Sequence, residues 1–318
     1  MAPIPPNLGK KMLFSSIAAR INRCLEPTYR CTNTAIRAHS VQNAAVMDLL
    51  HRKGHVKSLT LNHRNADRFE LIWRDVGRNL ATTFEGFCSG HDAALFAPID
   101  TRPFDPADRE QLFLYSYRAV ARELHQLMEA SVRTQSMYQQ RIEAGIDNGN
   151  EPEAAGMMAL EHMMTAHSTF VYKSWLDEAL LERNFNTVNH EIVRLAPQAP
   201  AIAASVFFDL DTRRYQDEPP RLALNIFPVS LEETIAIYSF TDADAEPVRE
   251  YLSQILTTTG AYQKYLVSRM LLLHAENFVV SPAIFDSWTN AKRDAIRDFF
   301  LQTVRYGSAE QSEHLYLF

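Results

Sequence analysis

Along the chain, the spacing of apolar positions changes character three times. In the first third, Val46, Leu49 and Leu50 fall at helical spacing and Gly54 follows, which predicts a short helix within 41–53. Residues 56–61, 69–76 and 82–87 have the branched, alternating look of strands. A short helix is expected over 11–20, a turn broken by Pro27 over 24–31, and a helix opening at His91 and closed by Pro98. The middle third is helical in rhythm. Asp105 can cap and Pro106 suits a first turn, and Leu112, Tyr115, Ala119, Leu124 and Leu127 continue one long helix toward Gly145. Asp147-Asn148-Gly149-Asn150 is a loop, and a second long helix over 152–184 completes an antiparallel hairpin. Four short apolar runs then follow, at 192–195, 202–208, 222–227 and 234–240, and read as an antiparallel sheet. Helices return at 245–256, 262–274 and 287–306. The fold class is α+β: a small module over 1–103, a long helical hairpin over 104–186, and a C-terminal antiparallel sheet with helices over 187–318.

The length of 318 residues allows two or three packed units. A net charge of -6 argues against a non-specific nucleic-acid coat, which would be basic, while leaving room for a local basic patch. No apolar run approaches the roughly 18–20 residues of a membrane span. The start, Met-Ala-Pro-Ile-Pro-Pro, lacks the marks of a secretory signal, so cytoplasmic residence is expected.

Cysteine usage changes the picture most. There are three, Cys24, Cys31 and Cys88, all in the first third, and an odd small number is no disulfide framework. Phe87-Cys88-Ser89-Gly90-His91-Asp92 puts a Cys-x-x-His pair at an expected helix start, the arrangement that closes treble-clef zinc sites. The positive helix end favours a thiolate there. Cys24 and Cys31 are separated by six residues, and a turn through Pro27 can bring both to one ion. The expected cofactor is therefore Zn2+, held by Cys24, Cys31 and Cys88 with His91 as fourth ligand. His39 is the alternative fourth ligand, or a base beside the metal, and Asp92 would orient the ligating imidazole. Read blandly, the cysteines are small buried residues and the histidines incidental; the clustering favours metal.

The same residues carry a resemblance. Cys24 and Cys31, then Ala38-His39-Ser40, Gly54-His55-Val56 and Phe84-Glu85-Gly86-Phe87-Cys88-Ser89-Gly90-His91-Asp92, resemble a family of uncharacterised bacterial zinc-binding proteins. The likeness continues through Phe113-Leu114-Tyr115-Ser116-Tyr117-Arg118-Ala119 and faintly to 276–282. It implies zinc binding and no particular reaction. A looser likeness is to HNH-type nucleases, which would make His39 the general base and Asn62 or His63 a metal or phosphate partner. The chain departs from that pattern in lacking Cys-x-x-Cys and in having a helix expected after His39.

Other constellations are weaker. His162 and His167 are five apart and do not share a helix face, and the neighbouring methionines are expected to line a packing face. Arg118, with Tyr117, Glu123 and His125, reads as a solvated helix face, or as a brace for the cysteine module or a grip on a phosphate. Asp209, Asp211, Asp217 and Glu218 read as an exposed turn, since Arg213 and Arg214 lie among them. The stretch from His51 to Arg74 is basic with interleaved aromatics, diluted by Asp67, Glu70 and Asp75. No phosphate-binding glycine motif or nucleophile elbow occurs. The function expected is a zinc-stabilised module binding a protein or nucleic-acid partner, in a setting such as bacterial stress or phage defence. A homo-oligomer is left open and no membrane is involved; a nuclease-like effector with His39 as base is the second expectation.

Overall fold

The computed structural model describes residues 20–61, 70–151, 153–210, 219–306 and 315–318. The helix expected over 11–20 lies outside them, apart from Arg20. The described residues form eight α-helices, a seven-stranded antiparallel sheet and a two-stranded ribbon, an α+β fold.

The ribbon pairs β1 (Ile36–His39) with β4 (Thr83–Phe87). The large sheet runs in the order β3-β2-β9-β6-β7-β8-β5. Here β2 is His55–Leu61, β3 Leu71–Gly77, β5 Val188–Leu195, β6 Ile202–Asp209, β7 Arg221–Pro228, β8 Thr234–Thr241 and β9 Val279–Val280. The early β2–β3 hairpin thus joins the late strands, through the two residues of β9 that pair with Lys57 on one side and with Ile202 and Ala203 on the other. One sheet spans residues of both 1–103 and 187–318. Neither β1 nor β9 is legible in the sequence, because four and two residues carry too little alternation to register.

The central strands are buried on both faces, which is why they read as continuous apolar runs rather than alternating ones. Their side chains still divide by parity. Ala203, Phe207, Ala223, Phe227, Ile235 and Ile237 face a core shared with the hairpin and the cysteine module. Ile202, Ala204, Leu222, Leu224, Ala236 and Tyr238 face the second core, under the C-terminal helices. Those are α5 (Ala245–Thr257), α6 (Gly260–His274), α7 (Pro282–Ser287) and α8 (Asn290–Tyr306).

The hairpin consists of α3 (Arg109–Glu143) and α4 (Ala154–Leu181). The cap of α3 is Asp108, whose Oδ1 accepts from Gln111 N at 3.1 Å; Asp105, the cap expected, accepts from Ala107 N just upstream. Gly145, at φ +68°, closes α3 in the left-handed region that glycine enters without strain. The helix expected over 41–53 contracts to α1 (Val46–Leu50). Pro98, expected to close a helix, lies inside α2 (Ser89–Asp100); its carbonyl is held by Gln111 Nε2 at 3.1 Å.

Arg118 joins these parts. It is 2% exposed, not a solvated residue. Its guanidinium grips Asp100, at the end of α2, by two bonds of 2.9 and 2.6 Å and lies 3.9 Å from the centre of the Phe96 ring. Such a forked pair brings α2 against α3 in a fixed orientation. Arg118→Ala leaves Asp100 without its partner and the Phe96 face uncovered, and we expect it to lower stability by about 3 kcal/mol in urea titration.

Candidate metal centre

The centre is built from two short pieces of chain. The first is the loop between Cys24 and Cys31, shaped by Glu26. Its carboxylate, buried under the loop, accepts from Thr28 N (2.8 Å), Thr28 Oγ1 (2.8 Å), Arg30 N (2.6 Å) and Cys31 N (3.0 Å). Burial alone would raise the Glu26 pKa, but the hydrogen bonds from Thr28, Cys31 and Arg30 outweigh it and hold the carboxyl at about 2. Tyr29 takes a φ of +55° at the crest of the same loop.

The second piece is the step from β4 into α2. Leu25 N donates to Gly86 O at 2.7 Å, which lays the loop beside the end of β4. Gly86 accepts this position because a Cβ there would run into the Phe84 ring. Cys88 is the extended residue before α2, and its N–H donates to Cys24 Sγ at 3.3 Å. One turn into the helix, His91 points Nδ1 back at the thiols.

Cys24, Cys31, Cys88 and His91 are thereby brought together, with one ligand atom from each within 4.8 Å of the others, and could hold a metal ion. The separations are 3.8 Å for Cys31 Sγ to Cys88 Sγ, 3.3 Å for Cys88 Sγ to His91 Nδ1 and 3.5 Å for Cys24 Sγ to His91 Nδ1. Burial pushes the Cys24 thiol up to about 11, whereas the His91 backbone N–H lowers Cys88 to about 7.

His39 lies outside this group. It sits on β1 with Nε2 3.1 Å from the Arg78 carbonyl, and burial lowers its pKa. Asn62 and His63 lie outside the described residues, as do Asp211, Asp217, Glu218, Arg213 and Arg214. Asp92 makes no hydrogen bond to His91 among the described residues; its Oδ1 is buried without a partner and burial raises its pKa. His162 faces Thr134 Oγ1 at 3.4 Å, and His167 is exposed. In the basic stretch, Arg52 pairs with Asp286 (2.5 Å) and Lys57 with Asp75 (2.9 Å), so acids answer those cations.

Sequence reasoning missed what holds the centre to the hairpin. Lys173, fully buried on α4, donates to Tyr29 Oη (3.2 Å), Tyr117 Oη (3.0 Å) and Asp177 Oδ1 (2.7 Å). Tyr117 also donates to Asp177 at 2.6 Å. The Tyr29 ring meets Phe170 at 5.4 Å between centroids. The only signal in the chain is Lys173 and Asp177 four apart on an apolar helix, a spacing that exposed pairs share.

Set beside known proteins, the chain matches no protein-family model, no curated protein and no solved structure.

Glu26→Ala removes the acceptor that shapes the Cys24–Cys31 loop. We expect metal affinity to fall about 10–100-fold in chelator competition while the circular dichroism of the helices is kept. Unchanged affinity would show that the loop needs no such support.

Proposed function

We propose that this chain is a protein-interaction module whose N-terminal part is held together by a structural zinc ion on Cys24, Cys31, Cys88 and His91. One observation carries the metal assignment. Zinc bonds of about 2.3 Å to sulfur and 2.0–2.1 Å to nitrogen, in a tetrahedron, put sulfurs about 3.8 Å apart and sulfur about 3.5 Å from nitrogen. The separations of 3.8, 3.5 and 3.3 Å fit that figure closely. Three soft thiolates and an imidazole also suit zinc rather than magnesium or calcium. Four protein ligands fill the tetrahedron and leave no position for substrate, which favours a structural over a catalytic role. The Cys-x-x-His step at the start of α2 agrees with a treble-clef-like knuckle and with the bacterial zinc-binding family that the sequence resembles.

The interaction reading rests on α4. Met157, Leu160, Met164, Val171 and Trp175 are all exposed, and at 3.6 residues per turn they fall within roughly 60° of one another. These methionines do not line a packing face as expected, because α3 covers only the opposite side of α4. An apolar, methionine-rich stripe open to water fits a protein partner. The charges on that side are Glu161 and Glu178, which suit a nucleic-acid backbone poorly.

Elemental analysis is expected to find about one zinc per chain in the wild type and none in Cys88→Ser, with the variant melting well below it. Zinc should also leave as pH falls from about 7.5 toward 5, because protons compete for the thiolates and the imidazole. A second metal in place of zinc, or none, defeats the assignment. Met164→Glu with Val171→Glu is expected to keep zinc and fold but lose whichever protein co-purifies from the native cell; retention of that protein argues against the α4 surface.

A further inference from the structure

A small cavity on the far side of the hairpin has no part in the metal centre. It measures about 180 Å³ and opens where α3, α4, β6 and the end of α6 meet. The groups that matter on its wall are Arg122 and Glu123 from α3, Thr169 from α4, Asp209 from β6, and His274 and Glu276 from the end of α6.

Arg122 is 7% exposed, an uncommon burial for a guanidinium. Its Nε donates to the Asn277 side-chain oxygen at 2.8 Å, with the Asn277 nitrogen turned to the Ser205 carbonyl. Its Nη1 stands 3.4 Å from Glu123 Oε2. Nη2 has no acceptor among the described residues, so one donor edge of a buried cation remains for something in the cavity.

Among the described residues, opposite charge is in excess around it. Asp209 is answered by Arg221 at 3.3 Å. Glu276 makes no hydrogen bond or ion pair with any described residue, and Glu123 shares only the long contact to Arg122. Burial raises Glu123 to about 7 against the pull of Arg122, with Glu276 and Asp209 adding to the rise. His274 does not supply that charge. Burial lowers it to about 4, and it lies flat on Phe208 with ring centroids 3.8 Å apart and Nε2 3.1 Å from Tyr251 Oη.

The cavity therefore offers an open guanidinium edge together with two carboxylates, the half-buried Glu123 and the exposed Glu276. A volume of about 180 Å³ exceeds what one water needs and admits a small molecule. We propose that this cavity binds a free amino acid, its carboxylate on Arg122 and its ammonium group between Glu123 and Glu276. A plain anion would meet the carboxylates, and a plain amine would leave the guanidinium edge unmet. A small ligand carrying both charges answers both kinds of group on the wall.

The test is a thermal-shift and calorimetric series on the full chain, using each of the twenty amino acids, with propylamine and propionate as single-charge controls. At about 100 times Kd, a binding amino acid is expected to raise Tm by about 4–8 °C, with neither control doing so. Glu276 is exposed and unpartnered among the described residues, so Glu276→Gln folds as the wild type does and is expected to bind at least tenfold more weakly. Glu123→Gln is expected to do the same. The proposal is overturned by twenty silent amino acids, by an equal shift from propylamine or propionate alone, or by unchanged affinity in either variant.

Discussion

Three thiols and an imidazole drawn within 4.8 Å of one another set the constraint on which the N-terminal third depends. Thiolates that close repel, and thiols that close leave weak donors facing weak acceptors, so a cation at their centre would stabilise the arrangement. The pieces it joins have little regular secondary structure of their own. The ribbon has strands of four and five residues, and the Cys24–Cys31 loop keeps its shape through one carboxylate and the positive φ of Tyr29. A divalent ion at that point would convert four separate contacts into one cooperative unit, as in other small metal-held modules.

The centre is coupled to the helices by charge as well as by packing. A divalent ion among three thiolates and a neutral imidazole leaves one net negative charge. Lys173, fully buried beneath the loop, feels both Asp177 and Cys24 as charges that favour its ammonium form, against burial that lowers its pKa. Tyr29 is the shared element: its backbone belongs to the metal loop, and its hydroxyl and ring belong to α4. Arg118 does the same for α2 from the other side, through Asp100 and Phe96. The hairpin thus serves as the wall against which the metal loop and the sheet are both assembled.

That arrangement also explains why one side of α4 stays open. The sheet is covered on one face by α3 and the cysteine module and on the other by the C-terminal helices, so both of its faces are spent. α4 packs on α3 and reaches the sheet through Tyr172, whose ring meets Phe207 of β6 at 4.9 Å, and through Ser168, whose carbonyl accepts from Arg221 of β7; among the described residues no further layer covers the side that carries Met164. Lys173 and Asp177 occupy the inner side, while Met164, Val171 and Trp175 take the outer.

The local rules were enough for much of this. Gly145, the loop that follows it and the helical spacing from Leu112 to Leu127 determined a long hairpin, and runs such as 202–208 and 222–227 determined buried strands. Cys88 and His91, three apart at a helix start, determined half of the metal cluster, because both ligands lie within one turn. Whether His39 or His91 completed it was a question of distance between segments, and only the pairing of β1 with β4 decided it by turning His39 toward Arg78. Asp108 took the cap from Asp105 for a similar reason: both residues can cap, and the choice belongs to the packing of Gln111. The burial of Lys173 and Arg118, the open side of α4 and the charge pattern around Arg122 depend on partners about 20 to more than 150 residues away or on what fails to cover a surface, while Glu26 acts on neighbours two to five residues away whose N–H groups only the folded loop turns toward it. Spacing along a chain records which faces are apolar; it does not record which of them will find a neighbour.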